Sequence, residues 1–317
     1  MKYTAVIRTL GLSGAFYKEL LHSLLKQTIK PEKIIVYIAE GYNIPKESLG
    51  IEQFVFVPKG MVAQRALQYD EVTTEYILFL DDDLFLDPFT VQRMYNLMCD
   101  YDLDVIAPDI FNNASRSFYN EILMTISARM YPRYINDKLG YKVLRSGGYS
   151  YRKQIIDQVY RSETNAGAAF LCRKADFLRI NFAEEKWMDS VSYALGDDQV
   201  MFYKMHLMGL KVGTWYNHSF VHLDAGNHTS PEKEKLLIYS DFRFKIIFWH
   251  RFIYSCHTSF NDKFWDYICI IYTFCFSILV SFFKLRFDIL RLKISAVRDG
   301  INFIKSSVYK SIPSINQ

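Results

Sequence analysis

Three adjacent carboxylates, Asp81-Asp82-Asp83, stand directly behind the apolar run Tyr76-Ile77-Leu78-Phe79-Leu80. Acids this close repel one another unless a cation sits among them, and an oxygen-rich set suits Mg²⁺ or Mn²⁺. A second acidic pair, Asp197-Asp198, opens the segment Leu195-Gly196-Asp197-Asp198-Gln199, and His222 follows in Phe220-Val221-His222-Leu223. Each group also has a plainer reading. The triple acid reads as an acidic turn leading into a helix capped around Asp87-Pro88. Asp197 or Asp198 reads as a helix N-cap, worth about 1 kcal/mol. A lone histidine is more often structural than a ligand.

The elements around these residues decide between the readings. Tyr76–Leu80 is short, has no helical gaps and follows Thr73-Thr74-Glu75, the pattern of a strand buried on both faces. Three carboxylates cannot continue inside it, because burying unpaired charge is prohibitively costly. The acids therefore mark where the strand emerges, and open α/β sheets bind ligands outside the carboxyl ends of their strands.

Earlier in the chain, Tyr3–Ile7 reads as a strand. A helix follows with Phe16, Tyr17, Leu20, Leu21, Leu24 and Leu25 on one face, stopped by Pro31. Ile34–Ile38 and Phe54–Val57 are further strands, and Met61–Tyr69 is expected to be helical. Beyond the acids come a helix carrying Val91, Met94, Tyr95 and Met98, and a strand at Asp104–Ala107. This rhythm predicts an α/β fold around a mostly parallel sheet. No Gly-x-Gly-x-x-Gly and no Walker loop occurs, which counts against dinucleotides and ATP bound in their usual ways.

Residues 109–165 have no strong period and contain the Gly-rich turn Arg145-Ser146-Gly147-Gly148; they read as an excursion towards an acceptor. The small-residue run Asn165–Leu171 is open to two readings, close strand packing or backbone that lets a ligand approach. Then come a helix ending at Gly209 and a strand at Lys211–Trp215.

At 317 residues, half of them apolar, the chain can bury a substantial core. A net charge of +4 is too weak to point to nucleic acid. The five cysteines lack Cys-x-x-Cys spacing, which argues against a disulfide framework or a zinc site and for a reducing compartment. Arg8 interrupts the opening apolar residues too early for a signal peptide, so the chain is expected to start in the cytoplasm.

The ordered set Val6-Ile7-Arg8-Thr9-Leu10, Lys59–Ala66, Leu80–Asp83, Gly167–Arg173, Gly196–Gln199 and Val221–Leu223 resembles the family 2 glycosyltransferases, nucleotide-sugar enzymes of the GT-A fold. The resemblance implies a nucleotide-sugar donor, a glycan acceptor and Mn²⁺ or Mg²⁺. It implies Asp83 and His222 as metal ligands, and Thr9, Arg65, Asp81 and Asp82 as nucleotide-sugar contacts. Asp198 takes the place of the catalytic base, with Asp197 beside it where the family more often has Glu. Where the family often has Asp-Asp-Gly-Ser, this chain has Ala39-Glu40-Gly41-Tyr42; Glu40 is expected to take over the base contact, and the nucleobase stays open. One metal-binding acid cluster and one separate base suffice for a single displacement, hence for inversion at the anomeric carbon.

The last third is different in kind. Tyr267–Phe283 is uncharged over 17 residues, the lower limit for a spanning helix. Beyond it seven bases face two acids, Asp288 and Asp299. Bases flank the stretch on both sides, so the positive-inside rule gives no reason to export the tail. An interfacial helix on the cytoplasmic leaflet fits better, with a single span as the alternative.

The expectation is thus a glycosyltransferase domain over 1–230 (nucleotide half 1–108, acceptor half 109–230), and a helical membrane-associating extension over 231–317. It would act at the cytoplasmic side of the cell membrane on a growing, lipid-linked, cell-surface glycan, without nucleic acid; a homodimer is also admitted. The rivals are an Asp-dependent phosphotransferase or phosphohydrolase, and a non-catalytic glycosyltransferase-like membrane scaffold.

Overall fold

The structure is a computed structural model that describes residues 1–109, 118–128, 139–151, 157–191, 194–223 and 230–315. Much of the acceptor-side excursion therefore lies outside the described residues.

The chain opens with β1 (Tyr3–Thr9), α1 (Ala15–Leu25), β2 (Lys33–Ala39), β3 (Glu52–Val57) and β4 (Tyr76–Asp81). A short β5 (Leu84–Leu86) comes next, then α2 (Thr90–Asp100), β6 (Val105–Pro108) and α3 (Phe118–Ile126). The hairpin β7 (Tyr141–Val143) and β8 (Tyr149–Tyr151) closes over the Gly-rich turn, and β9 (Val159–Arg161) leads to β10 (Ala169–Arg173). After α4 (Lys174–Arg179) and a 3₁₀ segment (Phe182–Ser190) come α5 (Asp197–Leu207), β11 (Val212–Trp215) and β12 (Phe220–His222). The remainder is helical: α6 (Pro231–Phe248) with a π-helical continuation (Trp249–Tyr254), α7 (Phe260–Phe283), α8 (Phe287–Lys305) and α9 (Ser307–Lys310).

Eight strands form one sheet in the order β3-β2-β1-β4-β10-β6-β11-β9. β10 runs antiparallel between β4 and β6, β9 runs antiparallel to β11, and the other pairings are parallel. Only the end of the small-residue run, Ala169–Leu171, enters the central strand β10, while Asn165 to Ala168 stay irregular and bring the Gly167 backbone against Arg65. Alternate residues along the strands feed two cores. Val6, Ile35, Ile77 and Phe79 face α5, α6 and the π segment, while Ala5, Ile7, Leu78 and Leu80 face α1 and α2. Burial on both faces is why these strands read as unbroken apolar runs.

Met61–Tyr69 is a series of turns rather than the expected helix. The Val62 and Ala63 amides donate to the Asp189 carboxylate, at 3.1 and 2.8 Å. Tyr69 then reverses the path with φ 55°. A tertiary anchor at one end and a left-handed residue at the other leave room for one turn only.

The C-terminal helices cover one face of the sheet, and Phe244, Ile247, Phe248 and Phe252 belong to the same core as β4. The joint is electrostatic as well as apolar. Glu185, fully buried, accepts from Arg251 at 2.9 and 2.7 Å, from Lys204 at 3.0 Å and from Trp187 at 2.7 Å. Arg251 also donates to the Pro313 carbonyl at 2.9 Å. Burial pulls the Glu185 carboxyl up, but Arg251 and Lys204 outweigh it and hold it below its ordinary 4.5. That stability is full above about pH 4.5 and lost as pH falls below it.

Removing Arg251 leaves buried Glu185 with Lys204 as its remaining cation, so Arg251→Ala should cost up to about 3–5 kcal/mol. Denaturant unfolding checks this, and a loss below about 1 kcal/mol would put the joint's strength in its apolar contacts instead.

Candidate functional site

The parallel register of β1 and β4 places Arg8 beside Asp81 at the carboxyl edge of the sheet. Arg8 donates through Nε to Asp81 Oδ1 at 2.8 Å and through Nη1 to Asp197 Oδ2 at 3.3 Å. Arg65 Nη1 donates to the same Asp197 oxygen at 2.9 Å and to Asp198 Oδ1, while its Nη2 donates to the Gly167 carbonyl at 3.0 Å. A continuous chain therefore runs Asp81–Arg8–Asp197–Arg65–Asp198. Three carboxylates meet two guanidiniums, so one negative charge is left over.

That surplus is unevenly held. Burial, then the Asp198 charge, push Asp197 up to about 6 against the pull of Arg65 and Arg8. Burial raises Asp198 too, but Arg65, Arg8 and the Gly167 amide outweigh it and leave Asp198 below the usual carboxylate range. Arg8 is shifted up: burial works against its charge, but Asp81, Asp197 and Asp198 win. Asp197 is 6% exposed at its side chain and Asp198 31%, so only Asp198 offers a carboxylate edge to solvent. Neither acid is the N-cap of α5: that position is Gly196, at φ 85°, and both acids lie in the first turn.

In front of this chain lies a cleft of about 250 Å³, lined by Arg8, Thr9, Ser13, Gln64, Asp81, Asp82, Asp83 and His222 with Leu10, Leu12 and Met61. Thr9 Oγ1 donates to Asp82 and accepts from the Gly11 amide at 2.7 Å. Burial lifts the Asp82 carboxyl; the Thr9 and Ser13 hydroxyls oppose this, and the neighbouring acids add to it.

Asp83 and His222 are 139 residues apart, and the antiparallel pairing of β5 with β12 brings them together with Leu84 opposite His222. His222 Nε2 stands 3.0 Å from Asp83 Oδ1. Two cis ligands of an octahedral ion, each about 2.1 Å from it, sit about 3.0 Å apart, so the pair is spaced to hold Mg²⁺ or Mn²⁺. Among the described residues no group of three or more His, Cys, Asp or Glu converges, so Asp83 and His222 are the pair that would hold such an ion. A bound ion would neutralise charge developing on a leaving diphosphate.

Of the residues singled out from sequence, Thr9, Asp81, Asp82, Asp83 and His222 share the cleft, and Asp197 and Asp198 join it through the arginines. Two do not line it. Arg65 is 3% exposed and grips the Asp197–Asp198 pair, so it positions carboxylates where a contact along the nucleotide was expected. Glu40 stands exposed at the end of β2, outside the cleft lining. Arg8 and Gly167 are the residues missing from the sequence-based site. A Cβ on Gly167 would overlap the Asp198 carboxylate and meet Arg65 Nη2 at 3.0 Å. The one clue to Arg8 was a cation at the end of an otherwise apolar strand.

The family model for glycosyl transferase family 2 matches residues 48–160. That span holds Arg65 and the three acids; Asp197, Asp198 and His222 lie beyond it. Among solved structures, the crystal structure of S. aureus TarS 1-349 is similar at TM-score 0.52 and 15% identity, covering 98% of this chain and 83% of that one. At that identity the likeness speaks for the fold. No curated protein matches. The span that this family model matches includes the strand delivering Asp81–Asp83 to the carboxyl edge of a mostly parallel sheet, so this part of the chain is similar to the family 2 glycosyltransferases and the fold is GT-A-like.

Proposed function

We propose that the chain moves a sugar from a nucleotide donor to a hydroxyl of a growing, lipid-linked, cell-surface glycan, with inversion and with Mn²⁺ or Mg²⁺ held by Asp83 and His222. The observation that carries this reading is the Asp81–Arg8–Asp197–Arg65–Asp198 chain, which joins the acid-lined cleft to one half-exposed carboxylate. In the reaction Asp198 accepts the proton of the acceptor hydroxyl as that oxygen bonds to the anomeric carbon and the nucleoside diphosphate leaves. Arg65 and Arg8 hold Asp198 ionised and in place. Asp81, Asp82 and Thr9 face the donor, and Glu40 reaches the nucleobase only with a donor that extends past the cleft.

One base and one departing group give one displacement. Glycosidases instead flank the bond with two carboxyls, and the acids here are arranged as a donor cluster and a separate pair. The family-model match over residues 48–160, which holds Asp81–Asp83, favours glycosyl transfer over the phosphotransfer and scaffold rivals.

In this reading residues 1–230 are the transferase domain and 231–317 bring it to the cytoplasmic face of the membrane, with self-association open. A panel of nucleotide sugars with Mn²⁺ or Mg²⁺, followed by nucleotide release and by the anomeric configuration of the product, tests it. One donor should be turned over only with metal and with inversion; retention would overturn the mechanism.

A further inference from the structure

α7 is inside out. Its buried face carries Asp266, Ile270, Thr273, Phe274, Ser277 and Ser281, four of them polar. The face turned outward carries Phe260, Phe264, Ile268, Ile271, Leu279 and Phe282, spaced by three or four residues, with larger gaps only where one turn is skipped. The polar face is matched to the protein. Asp266 accepts from Arg145 at 2.8 Å and faces His257 at 2.6 Å, and Lys293 donates to the Ser277 and Ser281 hydroxyls at 2.9 and 2.8 Å. A helix facing water would reverse this distribution.

Two neighbours extend the same surface. On α3, Phe118, Tyr119, Ile122, Leu123 and Ile126 form an exposed stripe, and Tyr272 of α7 donates to the Ile126 carbonyl at 2.6 Å. At the far end of α7, the rings of Phe282 and Phe287 meet at 5.9 Å, leading onto α8. There the outer stripe alternates apolar and basic residues: Phe287, Arg291, Ile294, Arg298, Ile301 and Lys305. An apolar face of this extent marks an interaction site, and a stripe of bases among aliphatic residues fits an anionic lipid surface, with the bases snorkelling to the headgroups.

The geometry points to a single in-plane docking surface, built from the outer faces of α3, α7 and α8, that beds into an anionic bilayer without crossing it. α7 is the one described helix long and apolar enough to cross a membrane, and a third of its apolar window is buried against the protein. Spanning would strip Arg145, His257 and Lys293 from their partners, so the helix lies along the interface. The surface reaches the catalytic helix by a short path. Ser146 donates to the Ala128 carbonyl just beyond α3 at 3.3 Å, and Gln199, next to Asp198, donates to the Gly147 carbonyl at 3.0 Å. A lipid-borne acceptor would then arrive from the leaflet at the base. Only this last step rests on the glycosyltransferase reading; docking itself does not.

Trp265 on α7 is half exposed, whereas Trp187, Trp215 and Trp249 are buried, so tryptophan fluorescence reports on this face. The full chain is mixed with phosphatidylcholine vesicles, with and without phosphatidylglycerol, some carrying bromine at known acyl depths. Binding should require phosphatidylglycerol, and shallow bromines should quench best. Phe264→Glu and Ile122→Glu, on different helices, should each weaken vesicle binding by tenfold or more while nucleotide release in detergent is kept. Strongest quenching at the bilayer centre would overturn the in-plane arrangement, and wild-type vesicle binding by Ile122→Glu would remove α3 from the surface. A stable dimer that ignores vesicles would assign the face to a second copy instead. Vesicle binding without any sugar transfer would uphold the surface and fail the enzymatic reading, so the two are separable.

Discussion

Asp198→Asn should leave donor binding and the fold intact and lower turnover by roughly 10²–10⁴-fold, the range for a lost general base. Asn keeps an oxygen for Arg65 and for the Gly167 amide, so the contacts that position the side chain survive. Because Gly196 is the N-cap position, no cap is removed either. What disappears is a carboxylate that can accept a proton. Asp197→Asn should cost less, since that acid is enclosed by Arg8 and Arg65 and offers no edge to an acceptor.

The two variants also differ in pH dependence. Asp197, raised to about 6, takes up a proton as pH falls through that value. A negative charge beside Asp198 is then lost, the arginines dominate, and Asp198 becomes a weaker base. In the wild type kcat/KM should therefore fall below about pH 6, as a property of the coupled pair. For stability the sign is opposite: the fold prefers the protonated Asp197, and that contribution is lost as pH rises through about 6. In Asp197→Asn the limb near pH 6 should vanish. A limb unchanged in that variant would belong to another group. If Asp198→Asn turns over at near the wild-type rate, the base lies elsewhere.

Much of this arrangement was legible in the sequence, for identifiable reasons. Tyr76–Leu80 announced itself because both faces of the sheet are covered, and the acids behind it because buried charge is forbidden. α1 and α2 followed from a period of 3.6. Other features rest on contacts between distant residues. Arg8 reads as a cation ending a strand until the register with β4 supplies Asp81, and Arg65 looked like a ligand contact until Asp197 and Asp198, some 130 residues on, enclosed it. Met61–Tyr69 has helical spacing, yet Asp189 and the left-handed Tyr69 confine it to turns. In α7 the sequence shows apolar content but not orientation. Which face turns inward depends on Arg145 and Lys293, which belong to other elements.

Asp83→Ala should erase the dependence of nucleoside diphosphate binding on Mn²⁺. His222 alone would then offer one nitrogen where the pair offers a carboxylate and an imidazole at 3.0 Å. Loss of even an outer partner of a metal ligand costs roughly 10–100-fold in affinity, and loss of the charged ligand itself should cost at least that. The fold should tolerate it, because the backbone bond from the Leu223 amide to the Asp83 carbonyl, 2.8 Å, is untouched. Without metal the variant should bind the diphosphate no more weakly than the wild type, since a negative charge that repels it is gone. The affinity gap between titrations with and without Mn²⁺ should therefore collapse from both ends. His222→Ala should narrow the gap less, because the carboxylate remains and hard divalent ions prefer oxygen. If both residues serve one ion, the double variant should be little worse than Asp83→Ala alone; residues with separate roles would instead show additive losses. Calorimetry on the four proteins decides between these outcomes, and an unchanged Mn²⁺-dependent affinity in Asp83→Ala would place the metal elsewhere.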